Sequence, residues 1–278
     1  MPFEWLTHLQ TPAPKWVKDM GYVREAIAAA ARYRRRHQAW AFHLHRCRSL
    51  IRKAVADCSG TGRVVVLGSG ALLDIPLDDL TRRFKTVELI DIFHLPATRK
   101  RLAGYPNVIL TETDISGVAE AVRDFYGNAE TPLPTPKPDA GLIAEADLVI
   151  SANLLSHLPL LPMDALEARA PSSTAEQRQT FGRDVIDHHL AMLEAHGGPV
   201  VLITETLRLI HDQGTPIQKA DPLFGAAIPY VCEEWAWEMA PRPEISSKFD
   251  VLLQIRGVAD LNAADQARFC RNTTLAAP

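Results

Sequence analysis

The sequence predicts an α/β fold with a doubly wound, mostly parallel sheet, a helical extension before it and an antiparallel strand pair at its C-terminal end. Three observations lead to this fold class. Short apolar runs alternate with helical patterns from residue 63 to about 205. The first apolar run passes directly into a glycine turn. Two late strand patterns follow one another without a long helix between them.

The first strand and the turn after it carry the clearest functional signal. Val64–Leu67 is a run of four apolar residues, typical of a buried parallel strand, and Gly68 and Gly70 follow at once. Asp74 and Pro76 then suit the start of a helix. Strand, glycine turn and helix start together predict a nucleotide-cofactor cradle, because glycine lets a ligand approach the backbone. A plain strand-to-helix turn is the alternative.

Acidic residues recur at the ends of the next two strands. The strand Thr86–Asp91 ends in an acid about twenty residues after the glycines, where a cofactor-binding α/β unit places its ribose-binding carboxylate. The third strand, Pro106–Asp114, ends in an acid as well. A lone acid at such a position more often caps a helix. The repetition at one edge of the sheet favours a shared site.

From Arg63 to Ala259 these motifs resemble the class I S-adenosylmethionine-dependent methyltransferases, whose fold is Rossmann-like with a seven-stranded sheet. The resemblance implies that S-adenosylmethionine is the cofactor. It implies that the glycine loop passes under the methionine part, that Asp91 binds the ribose hydroxyls and that Asp114 and Ile115 flank the adenine. The cofactor-binding residues assigned in this way are Gly68, Ser69, Gly70, Asp91, Ile92, Asp114, Ile115, Ser151 and Asn153.

Two positions depart from the pattern of that family. The family often has an acid two residues before the first glycine, where this chain has Val66, and Leu72 stands at the third glycine. Two other functions therefore stay open beside methyl transfer. One is an NAD-type oxidoreductase that uses the same glycine turn. The other is a methyltransferase-like module that binds a ligand without turnover.

His157 is the predicted catalytic residue. The segment Ala146–His157 resembles the fourth strand of the family and the loop that faces the transferred methyl group. A histidine there lies at the cofactor crevice, and its reference pKa near neutrality suits removal of a proton from a hydroxyl or amine. A histidine that only packs at a helix start is the alternative. By contrast, His188 is predicted to be partly buried on a helix over 181–196.

The C-terminal section departs from simple alternation. Gly198–Thr204 reads as the fifth buried strand, and the prolines and glycines over 212–229 predict a long loop. Strand patterns follow at Glu234–Met239 and Phe249–Arg256. They predict an antiparallel pair at the edge of the sheet.

Two domains are predicted, a helical cap over 1–62 and a Rossmann-like catalytic domain over 63–278. In the cap, apolar residues recur at steps of three or four over 40–51, so this stripe must be buried. We expect it to cover the carboxyl edge of the sheet and bring Arg36, Trp40 or His43 near the methyl group. Packing on an outer face, or against a second subunit in a homodimer, is the alternative.

Composition is that of an ordinary enzyme. The 278 residues are 47% hydrophobic, and the net charge of −3 gives no general attraction to nucleic acid. No apolar run reaches the length of a membrane span, and the four cysteines are scattered without C-x-x-C spacing. We therefore expect a cytoplasmic protein without a metal and with neither membrane nor nucleic acid as partner. The resemblance implies that it is an enzyme that transfers a methyl group to a small-molecule acceptor.

Overall fold

The computed structural model describes most of the chain, namely residues 7–8, 10–127, 131–230 and 232–263. Both predicted domains extend beyond these ranges, because 1–6 and 264–278 lie outside the described residues. The boundary between residues 62 and 63 remains a prediction.

The described residues contain one eight-stranded sheet. Its strands in chain order are β1 (Arg63–Leu67), β2 (Thr86–Asp91), β3 (Val108–Glu112), β4 (Leu148–Ala152), β5 (Val200–Asp212), β6 (Thr215–Ala220), β7 (Glu233–Ala240) and β8 (Phe249–Val258).

The strand order is β3-β2-β1-β4-β5-β8-β7, and β6 pairs with β5 off this path. Strands β1 to β5 run parallel, whereas β8 is antiparallel to both β5 and β7. The chain thus enters the sheet at its middle and winds outward in both directions, which is the doubly wound, Rossmann-like arrangement. The predicted fold class and its antiparallel C-terminal pair are confirmed.

The sheet has one strand more than the seven that the sequence predicted. The loop expected over 212–229 contains β6, because β5 continues to Asp212 and turns back through Gln213 and Gly214. Both turn residues have positive φ, 47° and 86°, as a two-residue hairpin turn requires. Pro216, which argued for a loop, lies in an edge strand, where a missing N–H is tolerated.

Helices and short 3-10 turns connect the strands. None of the described helices combines the length and apolar character needed to cross a bilayer. The helices are α1 (Lys15–Asp19), α2 (Tyr22–Asp57), α3 (Leu77–Arg83), α4 (Pro96–Leu102), α5 (Ala119–Asp124), α6 (Leu160–Arg169) and α7 (Ala175–Glu194), and the 3-10 turns are Ala140–Leu142 and Leu155–His157.

Helix α2 has 36 residues and a kink at Arg36, whose φ of −123° and ψ of 23° are not helical. After the kink it packs on one face of the sheet, mainly against β7. The apolar stripe expected over 40–51 is buried there, since Trp40 is 5% exposed and Ile51 is fully buried. Before the kink, Val23 and Ile27 belong to a small separate apolar cluster with residues that follow β2.

Helix α7 corrects one expectation about a histidine. His188 is exposed, and its Nδ1 lies 2.7 Å from the carbonyl oxygen of Asp184 one turn earlier. The buried residue is His189, which is 1% exposed and packs among apolar neighbours such as Val185 and Ile186. The predicted burial was therefore assigned to the wrong one of two adjacent histidines, whose side chains differ by a rotation of about 100° around the helix.

Candidate functional site

A cavity of about 260 Å³ lies where α2 crosses the carboxyl ends of the parallel strands. Its walls come from α2 on both sides of its kink, the turn after β1, the segments after β2 and β4, and the strands β5, β7 and β8. The predicted site residues that line it are Gly68, Ser69, Gly70, Asp91, Asn153 and His157.

The glycine turn leaves room for a ligand. Gly68 and Gly70 have φ of 69° and 51°, in the left-handed region. A Cβ on Gly68 would lie 2.7 Å from Leu154, whereas a Cβ on Gly70 would meet only Gly68 O, at 3.9 Å. Between them, Ser69 is 2% exposed, and its hydroxyl has no hydrogen-bond partner among the described residues. Open space over Gly70 and an unpaired hydroxyl fit a polar ligand on this turn.

Asp91 joins the end of β2 to the glycine turn. Its two carboxylate oxygens accept hydrogen bonds from the backbone N–H of Gly70 and of Ile92, each at 2.8 Å. Desolvation raises the pKa of Asp91 to about 6, although both hydrogen bonds oppose this rise. Each oxygen keeps a second lone pair, so the carboxylate can fix the turn and still accept a ligand hydroxyl.

The segment after β3 borders a second cavity, of about 490 Å³, which Ile92 and Asp114 line. One oxygen of Asp114 accepts hydrogen bonds from the N–H and the hydroxyl of Ser116, at 2.9 and 2.6 Å. The other accepts from the N–H of Ala119 at the start of α5, at 2.8 Å. Asp114 therefore caps a helix beside this cavity. Ile115 points elsewhere and is buried in the core.

Tyr22, the first residue of α2, is close enough to both predicted acids to feel their charges. Burial raises the pKa of its phenol above the ordinary value, and the negative charges of Asp114 and Asp91 raise it further. The N-terminal end of α2 therefore borders the predicted adenosine site. No pattern in the sequence indicated this tyrosine.

Asn153 follows β4 with a φ of 53°, a conformation that asparagine tolerates better than most residues. Its side-chain amide donates to Asp74 Oδ2 at 2.6 Å and lies 3.7 Å from Cys47 Sγ. Burial raises the pKa of Asp74. Asp74, predicted only as a helix cap, thus lines the cavity. Ser151 lies in the core and contacts His189 Nε2 at 3.2 Å.

His157 lies at the cavity mouth, in the 3-10 turn after β4. The residue as a whole is exposed, but the atoms around its imidazole desolvate it and lower its pKa, an effect that the charge of Glu205 opposes. Glu205 is 3% exposed and accepts a hydrogen bond from Arg208 at 2.6 Å. The ion pair between Glu205 and Arg208, next to the predicted catalytic residue, lies within β5, and no pattern in the sequence indicated it.

Aromatic rings form the wall between α2 and β7. His43 stacks on Trp237 with ring centroids 3.9 Å apart, and Trp40 meets the same indole edge-on at 4.8 Å. His43 Nδ1 accepts a hydrogen bond from Trp235 Nε1 at 3.1 Å, and burial lowers the pKa of His43 to about 3. His43 is therefore neutral at physiological pH. Of the cap residues expected near the methyl group, Trp40 and His43 line the cavity, but the lining arginine is Arg32 rather than Arg36.

The described part of the chain contains no group of three or more histidine, cysteine, aspartate or glutamate side chains that could hold a metal ion. The candidate site has a polar end at the glycine turn and an aromatic end at the wall between α2 and β7.

Comparison with known proteins gives matches at the level of structure. No family profile matches the chain, and no curated protein matches it. Among solved structures, it is similar to the N-methyltransferase NodS from Bradyrhizobium japonicum WM9 in complex with S-adenosylhomocysteine, at 15% identity over 76% of this chain and 85% of that one, with a TM-score of 0.33. A DhpI–SAM–HEP complex matches at 14% identity over 95% and 91% of the two chains, with a TM-score of 0.35.

A third similar structure is the 1,6-didemethyltoxoflavin-N1-methyltransferase of Burkholderia thailandensis, with bound 1,6-didemethyltoxoflavin and S-adenosylhomocysteine. It shares 12% identity over 89% of this chain and 95% of that one, with a TM-score of 0.36. Because these scores are low, the fold assignment rests on the strand order and directions described above. On that ground the chain has a Rossmann-like α/β fold with an antiparallel C-terminal pair.

Proposed function

We propose that this protein is an S-adenosylmethionine-dependent methyltransferase that acts on a small molecule. The supporting observation is the convergence of the glycine turn, the acid after β2 and the loop after β4 on one cavity beneath α2. When bound, S-adenosylmethionine supplies a methyl group on a positively charged sulfur.

Under the proposal, each of the two cavities holds a different part of the cofactor. Pockets for small ligands usually span about 300–1,000 Å³, so the first cavity alone is small. Under the proposal, the Gly68–Gly70 turn holds the methionine part and Asp91 accepts the ribose hydroxyls. Ile92 and Asp114 border the adenine in the second cavity. The order of these residues along the sheet edge, from β1 through β2 to β3, supports this division.

The other residues of the first cavity align the acceptor and take up its proton. Methyl transfer from a sulfonium is a direct displacement, so the protein aligns the acceptor, excludes water and takes up one proton where the acceptor carries one. The aromatic wall excludes water. His157 is the proposed base, because it lines the cavity and the lowering of its pKa favours the unprotonated form.

A pair of glycine substitutions tests the cofactor cradle. In Gly70→Ala the new methyl group would project into the open space where the cofactor is proposed to lie. We expect the affinity for S-adenosylhomocysteine, measured by titration calorimetry, to fall about tenfold or more, a change of roughly 1.4 kcal/mol.

Gly214→Ala is the matched control for this substitution. Gly214 also has a positive φ, and a Cβ there would meet no atom within 4 Å. It lies in the β5–β6 turn, so its substitution brings comparable backbone strain without entering the cavity. Equal affinities for the two variants would contradict the proposed cradle.

A further inference from the structure

The starting point is a charge imbalance at the kink of α2, and the inference rests on the function proposed above. The carboxylate of Glu244, only 4% exposed, faces three arginines of α2. Arg35 donates to it through Nε at 3.1 Å, and Arg36 does so at 3.0 Å. Arg32 Nε remains 4.0 Å away, beyond hydrogen-bond distance. A single negative charge thus faces three positive charges, and Arg32 interacts with it most weakly because it is the most distant of the three.

Arg32 is also the member of this group that lines the cavity. Its Nη1 donates to Met239 Sδ at 3.7 Å, and a thioether is a weak acceptor. Its Nε is buried and has no hydrogen-bond partner among the described residues. The other arginine in the wall, Arg208, has its own counter-ion in Glu205. The guanidinium of Arg32 therefore lies at the cavity with N–H donors that lack a strong acceptor.

The position of Arg32 separates it from the cofactor cradle. Its contact residue Met239 belongs to β7, the last strand of the main path, whereas the glycine turn follows β1 near the middle of the sheet. The aromatic wall lies at the same end of the cavity. Trp40 donates through Nε1 to Met239 O at 2.9 Å, and its ring packs on Trp237. A cation and aromatic rings thus meet at the end of the cavity that the cradle leaves open.

We propose that the methyl acceptor is a small planar molecule that carries a carboxylate, and that Arg32 binds this carboxylate. The planar fork of a guanidinium matches a carboxylate with two parallel hydrogen bonds, and either oxygen is a better acceptor than the Met239 sulfur. The rings of Trp40 and Trp237 favour a flat molecule beside them. The cavity of about 260 Å³ also holds the methionine and ribose parts of the cofactor under the proposed function, so the acceptor must be small.

The test compares a planar acid with its neutral isostere. Salicylate and salicylamide are titrated into the full-length protein by calorimetry, with and without saturating S-adenosylhomocysteine. We expect salicylate to bind about tenfold or more tightly than salicylamide, because only the acid offers a charged acceptor to Arg32. Equal affinities, or absence of salicylate binding at millimolar concentration under both conditions, would overturn the proposal.

Variants then locate the effect. Arg32→Gln is expected to weaken salicylate binding about tenfold and to leave S-adenosylhomocysteine affinity within twofold. Arg35→Gln is the matched control, because it removes a charge from the same ion cluster outside the cavity wall, and it is expected to leave both affinities within twofold. Thermal melts check that each variant is folded.

The outcomes distinguish this inference from the proposed function. If Arg32→Gln weakens S-adenosylhomocysteine instead of salicylate, Arg32 is a cofactor residue and the inference fails while the methyltransferase proposal stands. If Arg35→Gln weakens salicylate as strongly as Arg32→Gln, direct binding by Arg32 is contradicted. If the wild-type protein binds salicylate through Arg32 but not S-adenosylhomocysteine, the proposed function fails and the anion site stands.

Discussion

At the scale of single residues, the two departures from the family pattern are both core positions. Leu72 adopts a φ of 58°, the left-handed conformation that glycine adopts easily, and is 1% exposed. Val66 in β1 is fully buried, and both side chains belong to the same apolar cluster. Burial of the leucine side chain offsets the strain of its backbone, so the turn keeps its path without a third glycine.

Two substitutions at Leu72 would reveal this strain, because their order of stability should be the reverse of the order at an ordinary buried position. Leu72→Ala keeps the strained φ and loses the buried side chain, at a cost of about 2–5 kcal/mol. Leu72→Gly loses the side chain but releases the strain, so we expect it to be the more stable variant, by about 1 kcal/mol in urea unfolding. Leu89, fully buried in β2 and without a positive φ, is the control, and there Gly should be less stable than Ala. The same order at both positions would contradict the account.

Under the proposed function, Asp91 makes cofactor affinity depend on pH. The ribose hydroxyls would donate to this carboxyl group, and its ionised form is the stronger acceptor. With a pKa raised to about 6, the group is mostly protonated at pH 5 and ionised at pH 7.5. Affinity for S-adenosylhomocysteine should therefore rise about tenfold from pH 5 to pH 7.5. Calorimetry on Asp91→Asn should show no such rise, and a pH-independent wild-type affinity would remove Asp91 from the ribose site.

At the scale of elements, α2 consists of two halves held in different ways. After the kink it packs into the main core through Leu50 and Ile51. Before the kink it is held by the small cluster around Val23 and Ile27, and by the ion pairs to Glu244. Few buried contacts mean a low free energy of local opening, so the first half of α2 is the part of the cavity wall that opens most easily.

Hydrogen exchange tests this division. Glu244→Gln removes the negative charge that faces three arginines, so their mutual repulsion is no longer balanced. We expect amide exchange over 24–35 to become about tenfold faster, while exchange over 40–55 stays unchanged. Glu234→Gln, which breaks the exposed pair with Arg256, is the control and should leave both segments unchanged. Equal acceleration in both halves of α2 would contradict the division.

At the scale of the whole molecule, the sequence predicted what local periodicity encodes. The four apolar residues over 64–67 predict a buried strand, because burial leaves a pattern in adjacent positions. The acids at the ends of the next two strands predict a shared edge of the sheet in the same way. Contacts between distant segments leave no such pattern. The pairing of Arg36 with Glu244 and the place of Trp237 beside His43 depend on how α2 crosses the sheet.

Two further differences have local causes. The hairpin to β6 was missed because Pro216 and Gly214 argue for a loop when the edge position of the strand is unknown. His188 was placed on the wrong side of α7 because one residue on a helix turns the side chain by about 100°.

Under the proposed function, the glycine turn and Asp91 hold S-adenosylmethionine rather than a dinucleotide. Titration calorimetry of the wild-type protein with S-adenosylhomocysteine and, separately, with NAD tests it most directly. We predict binding of S-adenosylhomocysteine in the micromolar range, with a matching rise in melting temperature, and no heat with NAD. A clear binding signal with NAD and none with S-adenosylhomocysteine would contradict the account.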